Sequence, residues 1–265
     1  MNWRDRFALR RKASPESPVA ARMAEAYDAS MRGDYETALS IWGPLARDGV
    51  PRAQNNVGAC FAEGLGVERD PVLAEKWLAL AAAAGDPVGQ RNAAALYFKG
   101  DGIAQDYTRA AELYRAAAQQ GDGPAQDMLS FMLLEGEVAP FDAVEARRWA
   151  EAAAALGVAA SMARLGMMFH NAIGVERDPR TAVHWWRKAA HLGDADGQAM
   201  LGAALHLGTG IERDAVEAFA WLLRGRAGGS TLADPFLDPV RAQLTPGQIT
   251  EAERQAAGPL PEAAP

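Results

Sequence analysis

The sequence predicts an all-α protein, a right-handed α/α solenoid of about six antiparallel helix pairs closed by C-terminal capping helices. Three observations carry this. Glycine recurs at Gly49, Gly85, Gly121, Gly157, Gly193 and Gly229, always 36 residues apart. Aspartate (Asp34, Asp70, Asp106, Asp142, Asp178, Asp214) and alanine (Ala38, Ala74, Ala110, Ala146, Ala182, Ala218) hold the same 36-residue register. Between these columns the chain is rich in alanine rather than β-branched residues, which favours helix over strand.

Each column has a mechanical reading. The aspartate is an N-cap, its carboxylate accepting from first-turn amides at the positive end of a helix. Proline follows at Pro71 and Pro179, where a helix tolerates it best. Asp142 with Glu145, and Asp214 with Glu217, have the spacing of a capping box. Here the second helix of each repeat, helix B, begins.

Four residues further the alanine permits close helix approach. Three residues after it come Trp77, Leu113, Trp149, Trp185 and Trp221, read as a large apolar wedge on the core face. The periodic glycine then ends helix B in a left-handed cap. The first helix, A, carries apolar pairs at i, i+4: Val57 and Phe61, Leu129 and Leu133, Leu165 and Phe169, Leu201 and Leu205. Between A and B lies a glycine loop, as in Gly64-Leu65-Gly66, Gly100-Asp101-Gly102 and Gly208-Thr209-Gly210. It is not a phosphate cradle, since nucleotide-binding glycines follow a strand.

These residues resemble the Sel1-like repeat family, relatives of tetratricopeptide repeats, over roughly residues 51 to 229. Upstream, Ala24, Tyr27, Gly33-Asp34-Tyr35, Ala38 and Trp42 look like a tetratricopeptide-type helix pair. Two loops depart from the pattern: Val138 replaces the second glycine, with Pro140 after it, and Ala172 replaces the first glycine of the next repeat. The expected organisation is a basic arm (1–20), a first helix pair (21–49), five repeats (50–229), a cap (230–257) with Thr245 as N-cap and Gln248 completing a capping box, and a disordered tail (258–265).

Charge narrows the function. The net charge of −7 argues against nucleic-acid binding, which needs a positive surface. Arg4, Arg6, Arg10, Arg11 and Lys12 oppose only Asp5, making residues 1–12 a basic arm on an acidic body and a candidate contact for an anionic membrane surface. No apolar run near Trp3, Phe7 and Leu9 has the length of a secretory signal, so the expected location is cytoplasmic.

Chemistry is sparse. Cys60 is the lone cysteine, which excludes an intrachain disulfide and a cysteine-based zinc site. The four histidines form no H-E-x-x-H cluster. His184 and His191 are expected on a solvated B-helix side. His170 and His206 occupy equivalent positions of successive A helices, about 8–10 Å apart in ordinary packing. A metal site or a cryptic hydrolase built on them lacks further ligands. The β-lactamase label carried by cysteine-rich relatives does not transfer, because their cysteine pairs and the S-x-x-K motif are missing.

The expectation is therefore a non-catalytic scaffold or adaptor with no cofactor and no metal, binding a protein or peptide on the concave face that A helices line in such solenoids. The family resemblance and helical spacing together nominate Asn55, Arg91, Asn92, Phe98, Asp127, Phe131, Leu134, Arg164, Met167, His170 and His206. Phe131 and Met167 would supply apolar pockets, and Arg91 or Arg164 would hold a carboxylate.

Overall fold

The computed structural model describes residues 17–136 and 141–260, and the basic residues 1–12, the loop positions Val138 and Pro140, and the last residues 261–265 lie outside them. The described residues are helical throughout, in two compact units, residues 1–106 and 107–265. The first contains α1 (Pro18–Met31), α2 (Tyr35–Arg47), α3 (Pro51–Glu63), α4 (Pro71–Ala83) and α5 (Pro87–Lys99). The second contains α6 (Tyr107–Gln119), α7 (Gly123–Glu135), α8 (Ala143–Ala155), α9 (Ala159–Asn171), α10 (Pro179–His191), α11 (Ala195–Leu207) and α12 (Ala215–Ala227). A 3-10 turn (Thr231–Ala233), α13 (Asp234–Arg241) and α14 (Pro246–Ala257) complete it. Helix pairs repeating every 36 residues make this the α/α solenoid class.

The columns act as helix punctuation. Asp34, Asp70, Asp142, Asp178 and Asp214 each accept from a first-turn amide of helix B, at 2.8–3.1 Å from the third residue on. Their own amides donate back to helix A where it precedes them, as from Asp70 to the Phe61 carbonyl at 2.9 Å, so one residue both closes the loop and starts the helix. At the far end Gly85 (φ +82°) donates to Ala82 while Asp86 donates to Ala81, the paired bonds of a left-handed helix stop. Asp86 then caps α5 through the Gly89 amide at 2.8 Å.

Two expectations need correcting. The expected capping boxes at Asp142 and Asp214 form only by half: Glu145 and Glu217 instead accept from the indole N–H of Trp149 and Trp221, each at 3.1 Å. The tryptophan column is also not the deepest. Of its five members only Trp221 is buried, whereas the next column, Leu78, Tyr114, Ala150, Trp186 and Leu222, is buried throughout. That column points at the small residue of helix A. A Cβ on Gly58 would lie 2.8 Å from Leu78, on Gly166 2.3 Å from Trp186, and on Gly202 2.8 Å from Leu222. The neighbour about 100° around the helix therefore fills the centre opposite the small A-helix residue, and Trp77, Trp149 and Trp185 stay half-buried.

The second loop glycine is a packing device. A Cβ on Gly66 would meet Tyr35, on Gly102 Pro71, on Gly174 Ala143 and on Gly210 Pro179, all at 2.2–2.7 Å. Each loop thus rests on the first turn of helix B in the preceding repeat. A buried glutamine column missed in the sequence, Gln54, Gln90, Gln126 and Gln198, ties α3, α5, α7 and α11 backward by donating to the carbonyls of Ala46, Ala82, Ala118 and Ala190, while α9 has Met162 in that place. In the second unit the end is covered by Ala233, Leu237, Val240 and Ala252 packed on α12. There the capping box of Thr245 and Gln248 closes as expected. Arg224 donates to the carbonyls of Gln255, Gly258 and Pro259, the latter two at 3.1 and 2.9 Å.

Candidate functional groove

The second unit brings four nominated residues together. Phe131 and Leu134 on α7, with Arg164 and Met167 on α9, line a groove of about 480 Å³. Four residues that sequence reasoning missed complete its apolar wall: Ala160 and Ala163 on α9, Met200 on α11 and Leu232 in the 3-10 turn. Met167 and Leu232 are 36% and 45% exposed, so apolar surface is open at the mouth. Asp194, the N-cap of α11, and Asp196 supply acidic groups.

Arg164 is not the carboxylate clamp its spacing advertised. Its guanidinium pairs with Asp127, both side chains only 14% exposed, and stands 5.9 Å from the Phe131 ring centre. Asp127 also accepts from the buried Ser161 hydroxyl at 2.5 Å. The pair joins α7 to α9 and shapes the groove floor while its charge is spent internally.

Asp194 differs. Its carboxylate accepts from the Gly197 amide at 2.7 Å, and no ion pair to it is present among the described residues. Burial raises its pKa above the ordinary carboxylate range, the nearby charges of Asp196 and Asp127 push the same way, and the Gly197 amide and Arg164 oppose them. Asp196 is exposed and accepts from the Ser230 hydroxyl at 2.5 Å.

The other nominated residues do not join this groove. Asn55, 3% exposed on α3, accepts from Asn92 on α5 at 2.8 Å and serves as an inter-helix tie in the first unit. Asn92 borders a smaller hollow of about 220 Å³ with Leu96 and Lys99. Arg91 and Phe98 are half-buried on α5. His170 packs against Trp186 with ring centres 5.3 Å apart, and His206 against Phe236 at 6.3 Å. Burial, aided by Arg177, lowers the His170 pKa. His184 is exposed, whereas His191 is half-buried against Trp221 at 5.5 Å. Among the described residues no group of three His, Cys, Asp or Glu is placed to hold a metal ion. Cys60 is buried and its thiol is pushed up to about 11.

A family model described as Sel1 repeat matches residues 51–86, 87–122, 123–158, 159–194 and 195–230. The crystal structure of a Sel1 repeat protein from Oxalobacter formigenes is similar over 92% of this chain and 99% of that one, with 28% identity and a TM-score of 0.79. A Pseudomonas aeruginosa structure is similar over 88% and 90% of the two chains at 18% identity and a TM-score of 0.50, a likeness of fold alone. No curated protein matches the chain.

Proposed function

Because the chain belongs to the Sel1 repeat family, whose members are generally protein-interaction scaffolds, we propose that it is a non-catalytic adaptor binding a partner's peptide segment in the groove of α7, α9 and α11. The observation that carries this reading is the open apolar wall of Phe131, Leu134, Met167, Met200 and Leu232 over a floor fixed by the Arg164–Asp127 pair. Seating one leucine- or phenylalanine-sized side chain there is worth about 1.5–3 kcal/mol. In the first unit, taken by itself, the A-helix positions Arg91, Asn92 and Phe98 are a further proposed partner contact, with Asn55 acting through Asn92 rather than directly.

A photo-crosslinking residue at Met167 tests it, with one at the exposed Lys76 of α4 as reference. In the source cell the groove position should capture a discrete protein partner that Phe131→Ala releases, and the Lys76 position should not. Capture of the same proteins from both positions, or from Lys76 alone, would rule the groove out. Arg164→Glu is unsuitable for this purpose, because it would set two carboxylates side by side and disturb the floor itself.

A further inference from the structure

We propose that the groove takes a segment in which an arginine or lysine neighbours a large apolar residue, the cation seated against Asp194 as Arg52 is seated against Asp86. The inference rests on groove binding and names the chemistry of the occupant. The repeat itself supplies the comparison. Asp86 and Asp194 are equivalent N-caps of A helices, each accepting from the amide three residues on. Beside Asp86, Arg52 places Nη2 2.9 Å and Nε 3.0 Å from one carboxylate oxygen, with Nε 3.2 Å from the other. The position equivalent to Arg52 beside Asp194 is Ala160, exposed on the groove wall.

Alanine at this position supplies no cation to Asp194, as valine at Val88 supplies none to Asp122, the capping aspartate of α7, and at Asp194 the carboxylate borders the apolar groove. The rest of the lining points the same way. Glu135, Asp194 and Asp196 face the groove against a single cation, Arg164, which Asp127 already engages. An acidic ligand would meet like charge, whereas a guanidinium or ammonium would complete a pair in partly desolvated surroundings, where pairing counts most. The raised pKa of Asp194 records its burial first, with the charges of Asp196 and Asp127 adding to it and Arg164 opposing. A metal ion is a poorer occupant, because no three-ligand cluster forms among the described residues.

The test selects a displayed library of random heptapeptides on the full chain. Recovered peptides should place Arg or Lys within a residue or two of Phe, Leu or Met. Their affinity should fall at least tenfold in Asp194→Asn and in Ala160→Arg, the latter filling the vacant place from within, and also in Met167→Glu. Far-UV circular dichroism confirms folding, and Ala160→Arg should melt no lower than the wild type. Acidic or uncharged peptides that depend on Met167 but ignore Ala160→Arg would overturn the cation assignment and leave the groove standing. Peptides indifferent to all three substitutions, or no enrichment at all, would overturn both.

Discussion

Replacing Gly210 by alanine tests whether the inter-helix loop is a packing device, and its cost can be worked out from two independent contributions. The first is conformational: Gly210 has φ +74°, and an L-residue held there costs about 1–2 kcal/mol. The second is steric. The new Cβ would lie 2.2 Å from the Pro179 carbonyl oxygen, 2.4 Å from its carbon and 2.9 Å from the Arg180 nitrogen. All three are backbone atoms at the start of α10, so no side-chain rotation relieves the overlap, and overpacking of this kind adds about 1–3 kcal/mol. Gly157→Ala is the matched control, with φ +84° and nothing within 4 Å of its Cβ, so it carries the first contribution alone. Thermal melts followed at 222 nm should show a drop of roughly 2–8 °C for Gly157→Ala and about twice that for Gly210→Ala, at about 2–4 °C per kcal/mol for a chain of this size. Equal shifts for the two variants would refute the close-approach argument.

The converse substitution should stabilise. Ala172 is the one non-glycine with positive φ (59°) among the described residues, at the C-cap of α9, where α3, α5, α7 and α11 have glycine. Ala172→Gly should therefore gain about 1 kcal/mol in urea unfolding, and an unchanged midpoint would mean that this cap is unstrained. Asp194→Asn should stabilise in a pH-dependent way. The folded pKa lies above the ordinary 3.8, so the native state holds this proton more tightly and stability falls as pH rises from about 3.8 through the raised value. Asparagine caps equally well and escapes that loss. The variant's advantage should be absent below that window and complete above it, and an advantage confined to acid would contradict the assignment.

Most of the fold was legible because the physics of helix ends is local. An aspartate that must cap, a glycine that must turn left-handed and an alanine that must admit a neighbour each depend on a few adjacent residues, so a fixed period exposes them. Side-chain depth is less local. Trp77 and Leu78 are adjacent and both apolar, and which of them fills the core depends on where the A-helix glycine at Gly58 leaves space. The groove was half legible for the same reason. Spacing placed Phe131, Leu134, Arg164 and Met167 on one face, but that Arg164 is consumed by Asp127, 37 residues back, is a fact of packing between repeats. His170 and His206 share a column and yet meet different aromatic partners, Trp186 and Phe236, because α13 belongs to no repeat.

A repeat chain also contains its own controls, and these separate structural from functional residues without reference to any other protein. A column filled in every repeat answers a demand that every repeat makes: a cap, a turn, a close approach. A column that changes identity is released from that demand. Arg52 shows a capping aspartate neutralised from within, whereas Ala160 supplies no cation to Asp194. Asp194 caps α11 as Asp86 and Asp122 cap α5 and α7, so the cap accounts for the aspartate itself, and what sets it apart is the apolar groove with further acids that surrounds it. An acidic rim of Glu135, Asp194 and Asp196 on an apolar groove the fold does not fill favours a cation that arrives from outside.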